Sequence, residues 1–224
     1  MGSVGLLYVG AVLFLNGTML LGWVDARSAV PLNFFVGALQ VITPTYLIFT
    51  ANGDENAILN ASGLYLFGFT YLYVAINLIA GLDGSGLGFF SLFVACCAVV
   101  FAGLNFWRDG FGDNAFGVIW LNWAFLWGLF FVLLGLGRDH LGRYTGAVAA
   151  VQGIVTGAIP AFLLLTGAWD DAVDWFAVVL TVFAVAAFGG LYVLTPQLRG
   201  EAGEAGEAGE EERPASPTPT PTPA

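Results

Sequence analysis

Seven stretches without a charged side chain divide this 224-residue chain, and they constrain its fold more than any other feature. A helix of about twenty apolar residues crosses roughly 30 Å of hydrocarbon, and each stretch reaches that length. The connections between them are short and hold nearly all the charges that precede the C-terminal tail. The stretches are residues 1–24, 28–53, 56–82, 84–107, 114–137, 144–169 and 175–198.

Composition agrees with a membrane location. Hydrophobic residues make up 58% of the chain and charged residues only 10%, whereas about a quarter of a soluble domain is charged. We therefore predict an all-α integral membrane protein, a bundle of seven transmembrane helices. Their approximate bounds are 4–24, 29–51, 58–80, 87–107, 115–136, 144–167 and 175–196.

The last segment, residues 199–224, has a different character. It combines a Gly-Glu-Ala repeat with a Pro-Thr run, and such a composition cannot bury a core. We expect a disordered cytoplasmic tail. Stretch 1–24 has no basic region and carries Asn16 and Gly17, so we interpret it as a retained first helix rather than a signal peptide.

The arginines predict the orientation of the bundle. They lie in the first and fifth connections and after the seventh stretch, and only Arg108, in the fourth connection, opposes this pattern. By the positive-inside rule the odd-numbered connections and the tail are cytoplasmic, and the N-terminus is outside. The acidic, lysine-free composition is common in prokaryotes, so we expect a multi-pass protein of the cytoplasmic membrane.

The predicted membrane interior contains no ionisable residue. Ion pumps, proton-coupled transporters and voltage sensors place such residues inside their helices, so the pattern favours passive movement of a neutral cargo. A retinal protein needs a lysine, which this chain lacks. The single histidine, His140, lies in a connection, so an intramembrane hydrolase has no buried base. We expect no enzymatic activity, no cofactor, no metal site and no nucleic-acid partner.

Polar but uncharged side chains do occur within the stretches. Two interpretations stay open for them: hydrogen bonding between helices, or lining of a pore whose cargo is itself a small amide. The amides are Asn16, Asn33, Gln40, Asn77, Asn122 and Gln152, and the hydroxyls include Thr70, Tyr71 and Thr156.

Three tryptophans form a stripe in the fifth stretch. Trp120, Trp123 and Trp127 lie within roughly 60° of one another on a helix. Leu6, Val9 and Leu13 repeat this spacing in the first stretch, and Phe67, Thr70 and Val74 do so in the third. If the stripes face one another they wall a narrow slot, although helix packing or interfacial anchoring would also explain tryptophans.

These motifs resemble the AmiS/UreI family of urea and short-chain amide channels. The resemblance runs over about residues 5–165 and rests on five segments in order: LLYVGAVLFLNG, NFFVG, LFGFTYLYVAIN, VIWLNWAFLWG and AIPAFLL. It implies a six-helix core, a homo-hexamer in the lipid bilayer with a pore in each protomer, and urea or small amides as cargo. It implies that the pore is lined by Leu6, Val9, Leu13, Phe67, Thr70, Tyr71, Trp120, Trp123, Leu126, Trp127 and Gln152. Asn16, Asn77 and Asn122 remain candidates for either pore lining or packing.

The chain departs from the acid-gated members of that family. Its second connection, residues 52–57, is short and has no histidine, and Gln152 replaces a pore-facing glutamate. We therefore expect no acid gating, while urea and acetamide-type amides both remain open as cargo. The helix at 175–198 lies beyond the six-helix core.

The expected function is a passive channel that admits flat, neutral solutes between aromatic faces and blocks ions because they would lose their water. The alternative is a non-transporting scaffold or sensor that holds a cytoplasmic amidase or urease through its tail.

Overall fold

The computed structural model describes residues 2–109 and 111–211, and within them every regular element is a helix. Seven helical segments are long and apolar enough to cross a membrane. The prediction of an all-helical, seven-span protein is confirmed. The helices are α1 Gly2–Leu20, α2 Val30–Thr50, α3 Glu55–Ala80, α4 Ser85–Trp107, α5 Asn114–Phe130, α6 Gly142–Gln152, α7 Ile159–Thr166 and α8 Trp169–Glu211.

Two spans contain a π-helical turn. The turn Phe131–Gly135 continues α5, and the turn Gly153–Ala158 joins α6 to α7 within the sixth span. A π turn shifts the register of the residues that follow it and often occurs at functional sites. Short 3₁₀ turns at Ala26–Ala29 and Asp139–Leu141 precede α2 and α6.

The spans associate mainly in pairs. α2 packs along α3, α4 packs along α5, and α1 packs along the sixth span, while α8 lies against α5 and α6. The seam between α1 and the sixth span is built from glycines: a Cβ added at Gly10 would come within 2.5 Å of the Gly153 carbonyl oxygen. Small residues that permit such close approach are typical of helix pairs in membranes.

Connections alternate between the two ends of the bundle. We call the end with residues 21–29, 81–84 and 136–141 the odd face, and the end with residues 51–54, 108–109, 111–113 and 167–168 the even face. Aspartates begin two helices at the even face: Asp54 accepts hydrogen bonds from the backbone of Asn56 and Ala57, and Asp113 accepts one from Phe116. Such caps satisfy N–H groups that have no partner inside the helix.

Large apolar side chains remain exposed around the bundle. Phe35, Phe49, Trp107 and Val185 are each more than 60% exposed. Lipid tails would cover such residues, as expected for a surface inside a bilayer.

The structure corrects the predicted bounds at both ends of the chain. The first helix ends at Leu20 rather than near 24, and the last begins at Trp169 rather than near 175. Asp170, Asp171 and Asp174, predicted in a connection, lie in the first turns of α8, where carboxylates favour the positive end of the helix dipole.

In the structure α8 continues to Glu211, so residues 199–211, expected from the sequence to be disordered, are described as helical. Alanine and glutamate are strong helix formers, and here they extend a helix that has already begun, so no new nucleus is needed. The rest of the predicted tail, residues 212–224, lies outside the described residues.

Candidate functional site

Four aromatic rings meet at the centre of the bundle. The Phe67 ring of α3 lies 5.6, 4.7 and 5.1 Å from the rings of Trp120, Trp123 and Trp127 on α5. Trp120 and Trp123 also contact each other edge to face at 5.0 Å. We call these four residues the aromatic cluster. Because every member is at most 5% exposed, interfacial anchoring does not explain these tryptophans.

Hydrogen bonds fix two of the indoles. The Trp123 indole N–H donates to the Thr156 hydroxyl at 3.0 Å, and the Trp127 indole N–H donates to the Thr70 hydroxyl at 3.3 Å. Thr156 lies in the π turn of the sixth span and donates in turn to the Gln152 carbonyl at 2.7 Å. These bonds satisfy the polar hydrogen of each indole and hold both rings in place within the aromatic cluster.

A cavity of about 280 Å³ begins at the end of the aromatic cluster nearer the odd face. Leu13, Thr70, Tyr71 and Trp127 line its inner end, and residues such as Leu82 and Gly84 lie at the odd face. Of the predicted pore residues, only these first four line the cavity. We call it the odd-face cavity.

The remaining predicted pore residues lie in the packed core. Phe67, Trp120 and Trp123 belong to the aromatic cluster. The others are buried without lining the odd-face cavity: Leu6 at 8% exposure, Val9 at 2%, and Leu126 and Gln152 at 0%. The structure thus divides the predicted slot into a closed aromatic segment and an open segment toward the odd face.

The membrane amides have different surroundings. Asn16 and Asn33 pair reciprocally through their side chains at 2.9 and 2.7 Å, which is the packing role of polar residues between helices. Asn122 donates to the Val118 carbonyl of its own helix and lines a groove between α5 and α8. Asn77, by contrast, lines the odd-face cavity, as does Asn16.

Gln152 joins two spans next to the aromatic cluster. Its side-chain amide donates to the Asn122 carbonyl at 2.9 Å, while its Oε1 has no hydrogen-bond partner in the described part of the chain. The neutral amide therefore holds α6 against α5 and keeps one acceptor available beside Thr156.

Sequence reasoning missed several residues of the site. Phe101 of α4 stacks on Trp120 at 4.6 Å, and Leu87 and Ser91 of α4 line the odd-face cavity with Phe130 and Leu133. Ser91, a polar residue within an apolar stretch, was the available signal. The α4 residues otherwise resemble any lipid-facing run.

Charges lie at the ends of the bundle rather than along the site. Asp83, at the odd face, accepts hydrogen bonds from the Ser85 hydroxyl and the Ser85 backbone N–H. These bonds, the hydroxyl first, lower the pKa of Asp83 below its ordinary value because they favour the ionised carboxylate. In the described residues, no group of three or more His, Cys, Asp or Glu side chains is placed to hold a metal ion.

The arrangement suits passage of a molecule rather than a chemical reaction on one. Aromatic faces, two hydroxyls and neutral amides offer dispersion contacts and hydrogen bonds, but they provide neither a nucleophile beside a base nor a charge to balance an ion. A small neutral solute is the cargo that such a lining can receive.

Comparison with known proteins gives the same family as the motifs. The family model described as AmiS/UreI family transporter matches residues 1–168. The proposed transporter protein AmiS2 of Rhodococcus erythropolis is 55% identical over 190 residues, covering 83% of this chain and 91% of that protein. A proposed amidate-substrate transporter protein of Mycolicibacterium smegmatis is 53% identical over 196 residues, covering 88% and 89%.

Solved structures show the same fold. The urea channel of Helicobacter pylori in a closed state, determined by cryo-electron microscopy, superposes with a TM-score of 0.68 at 36% identity, covering 74% of this chain and 98% of that one. Its crystal structure gives a TM-score of 0.66 at 37% identity, covering 74% and 97%. α8 begins where the family match ends, at residue 168. The resemblance noted in the sequence is confirmed, and the chain belongs to the AmiS/UreI family of transporters.

Proposed function

We propose that this protein is a passive channel for urea and short-chain aliphatic amides, and that the aromatic cluster is its selectivity filter. The observation that carries the proposal is the packing of Phe67 against three indoles, at 4.7 to 5.6 Å, in the middle of a seven-span bundle. Rings at these distances leave no open passage. A solute must therefore slip between them, and only a thin, neutral one can do so at low cost.

The filter selects by shape and by dehydration. A planar carboxamide keeps dispersion contact with flat rings while its N–H groups meet their electron-rich faces. A hydrated ion would lose its water against side chains that carry no charge, at a cost of several kcal/mol. The proposal assigns the pore lining to Leu6, Val9, Leu13, Thr70, Tyr71, Leu126 and Gln152 together with the aromatic cluster.

The relatives support amides alongside urea as cargo. Two relatives are more than 50% identical to this chain. One is named as the transporter protein AmiS2, and the other as a transporter protein for amidate substrates. A relative at 39% identity is an acid-activated urea channel of Helicobacter pylori. We assign the chain to the cytoplasmic membrane, with its N-terminus outside, as a homo-hexamer surrounded by lipid.

Uptake into proteoliposomes tests this proposal. Purified protein should raise the permeability to urea and acetamide, measured by stopped-flow light scattering, well above that of protein-free liposomes. Glycerol, which is neutral but not planar, should cross less readily. Proteoliposomes no more permeable than empty ones would reject the channel and favour the scaffold alternative.

Substitutions in the filter and in the adjoining pore lining test where selection occurs. Trp123→Ala and Tyr71→Ala should change the permeability ratio of acetamide to urea while the protein still assembles, because each removes a ring that bounds the path. Thr181→Val is a matched control, since that hydroxyl bonds only the Ala177 carbonyl of its own helix. An unchanged ratio in both variants would place the constriction elsewhere.

A further inference from the structure

We propose that the odd-face cavity is a binding station for primary amides with an apolar acyl chain, in which Asn77 holds the carboxamide. The inference rests on the proposed channel function and goes beyond it: it adds a site after the filter and a preference among amides. The volume of the odd-face cavity, about 280 Å³, is close to the lower limit of about 300 Å³ typical of small-molecule pockets.

Most polar side chains that line this cavity are already committed. The Asn16 amide pairs with Asn33. The Thr70 hydroxyl donates to the Leu66 carbonyl and accepts from Trp127, and the Ser91 hydroxyl donates to the Leu87 carbonyl. These side chains already have hydrogen-bond partners within the protein, so they do not offer a specific site for a solute.

Two residues that line the cavity each carry a buried polar atom without a partner among the described residues: the Tyr71 hydroxyl and Asn77 Oδ1. Tyr71 is 1% exposed and Asn77 is 9% exposed. A buried polar atom without a hydrogen bond is costly. A ligand that supplies the missing partner is therefore favoured at each position.

The two atoms mark successive positions along the path. Tyr71 and Asn77 are six residues apart on α3, which corresponds to about 9 Å along the helix axis. One carboxamide does not span that distance. A solute that leaves the filter meets the Tyr71 hydroxyl first, as a donor to its carbonyl oxygen, and then Asn77 Oδ1, as an acceptor from its N–H group.

The rest of the lining determines the preferred solute. Leucine and other apolar side chains dominate the wall, among them Val74, Leu78, Leu82, Leu133 and Leu134. Urea has no apolar part to place against them. Each methylene fully removed from water strengthens binding by about fourfold, so butyramide is held more tightly than acetamide or urea.

Concentration dependence of uptake tests the station. Wild-type proteoliposomes should take up butyramide with saturation, and Asn77→Leu should raise the half-saturating concentration about three- to tenfold, the effect of losing one hydrogen bond. The maximal flux should not fall, because the filter is intact. Ser62 lies toward the other end of α3, and its hydroxyl donates to the Leu59 carbonyl. Ser62→Ala should therefore leave both the half-saturating concentration and the maximal flux unchanged.

A second variant keeps the test decisive if Asn77→Leu does not assemble. Leu134→Trp fills the apolar part of the cavity and should reduce butyramide uptake far more than urea uptake. An equal reduction of both solutes would overturn the station. The station would also be overturned if Asn77→Leu left the half-saturating concentration for butyramide at the wild-type value and lowered only the maximal flux.

The two proposals fail in distinguishable ways. A wild-type protein that conducts none of the solutes rejects the channel itself. A wild-type protein that conducts urea and acetamide, but whose butyramide uptake rises linearly with concentration, rejects only the station.

Discussion

At the scale of single residues, the positions of two indoles depend on a hydrogen-bond partner in another span. Trp123 is held by Thr156 and Trp127 by Thr70. Thr156 serves both as the acceptor for Trp123 and as a donor to the Gln152 carbonyl. Its hydroxyl thereby connects the sixth span to the aromatic cluster.

Thr156→Val should destabilise the protein by about 1–3 kcal/mol, because it leaves the buried Trp123 N–H without an acceptor. Valine has nearly the same shape, so no cavity is created. Thermal unfolding in detergent, followed by tryptophan fluorescence, measures the effect. Thr156→Ser, which retains the hydroxyl, should lie near the wild type, and equal melting temperatures for Thr156→Val and wild type would show that the bond contributes nothing.

At the scale of helices, glycines set how closely α1 approaches the sixth span. A Cβ at Gly10 would lie 2.5 Å from the Gly153 carbonyl oxygen and 2.7 Å from the Ala158 backbone nitrogen. Both atoms belong to the backbone, so no side-chain rotation relieves the contact. α1 carries Leu6, Val9 and Leu13, and the seam therefore determines where one wall of the proposed pore stands.

Gly10→Ala should lower the melting temperature by an amount that corresponds to about 1–3 kcal/mol, the usual cost of overpacking. Gly128→Ala is the matched control because nothing lies within 4 Å of its added Cβ. That variant should be neutral or slightly stabilising, since alanine favours the helix. A Gly10→Ala protein as stable as Gly128→Ala would mean that the seam can widen freely.

α8 is fastened to the family core at both ends of its packed portion. At the even face the Trp169 indole N–H donates to Asp113 Oδ2 at 2.8 Å. Farther along the helix the Tyr144 hydroxyl donates to the Phe188 carbonyl at 3.1 Å, and Phe188 stacks on Phe125 at 5.6 Å. Because Asp113 also caps α5, the even-face bond joins α8 to the helix that bears the tryptophan stripe.

Trp169→Phe should loosen α8 at the even face, because the aromatic contact with Phe116 is preserved while the hydrogen bond is lost. We expect a destabilisation of about 1.5–3 kcal/mol, the range for bonds to charged groups. Faster amide hydrogen exchange in the first turns of α8 would report this loosening. Trp175→Phe, at a side chain 54% exposed, should leave exchange there unchanged.

At the scale of the whole molecule, the charged side chains of the described residues lie toward the two faces, and the proposed path between them is lined by neutral side chains. The only histidine of the chain, His140, is at the odd face. The short second connection, whose Asp54 caps α3, has no histidine to sense pH.

Urea flux at an outside pH of 5 should equal that at pH 7. Asp83, at the odd face that we assign to the cytoplasm, adds no acid response of its own: its lowered pKa means that the carboxylate's contribution to stability is present above the ordinary carboxyl pKa and is lost only as pH falls through the lower value. The carboxylate is therefore ionised throughout this window. Stopped-flow uptake at the two pH values measures the ratio, and a steep rise in flux at pH 5 would contradict the absence of an acid gate.

The sequence allowed much of the fold to be predicted, and its errors have identifiable causes. Charge spacing located seven spans because burying an ionised group in hydrocarbon is costly wherever it falls. It misplaced the start of α8 because Asp170 and Asp174 are acceptable in the first turns of a helix. It missed the two π turns because one extra residue in a turn leaves composition unchanged.

The sequence by itself determined the class, the number of spans and the tryptophan stripe, since solvation and helical periodicity are local properties that depend on residue type and spacing alone. Only the tertiary structure decided that Phe67 closes against the stripe, that Thr156 holds Trp123, and that Asn77 faces a cavity while Asn122 faces α8. These outcomes depend on which helices become neighbours and at what register. That register is set by glycine contacts such as Gly10 with Gly153, between residues far apart in the chain.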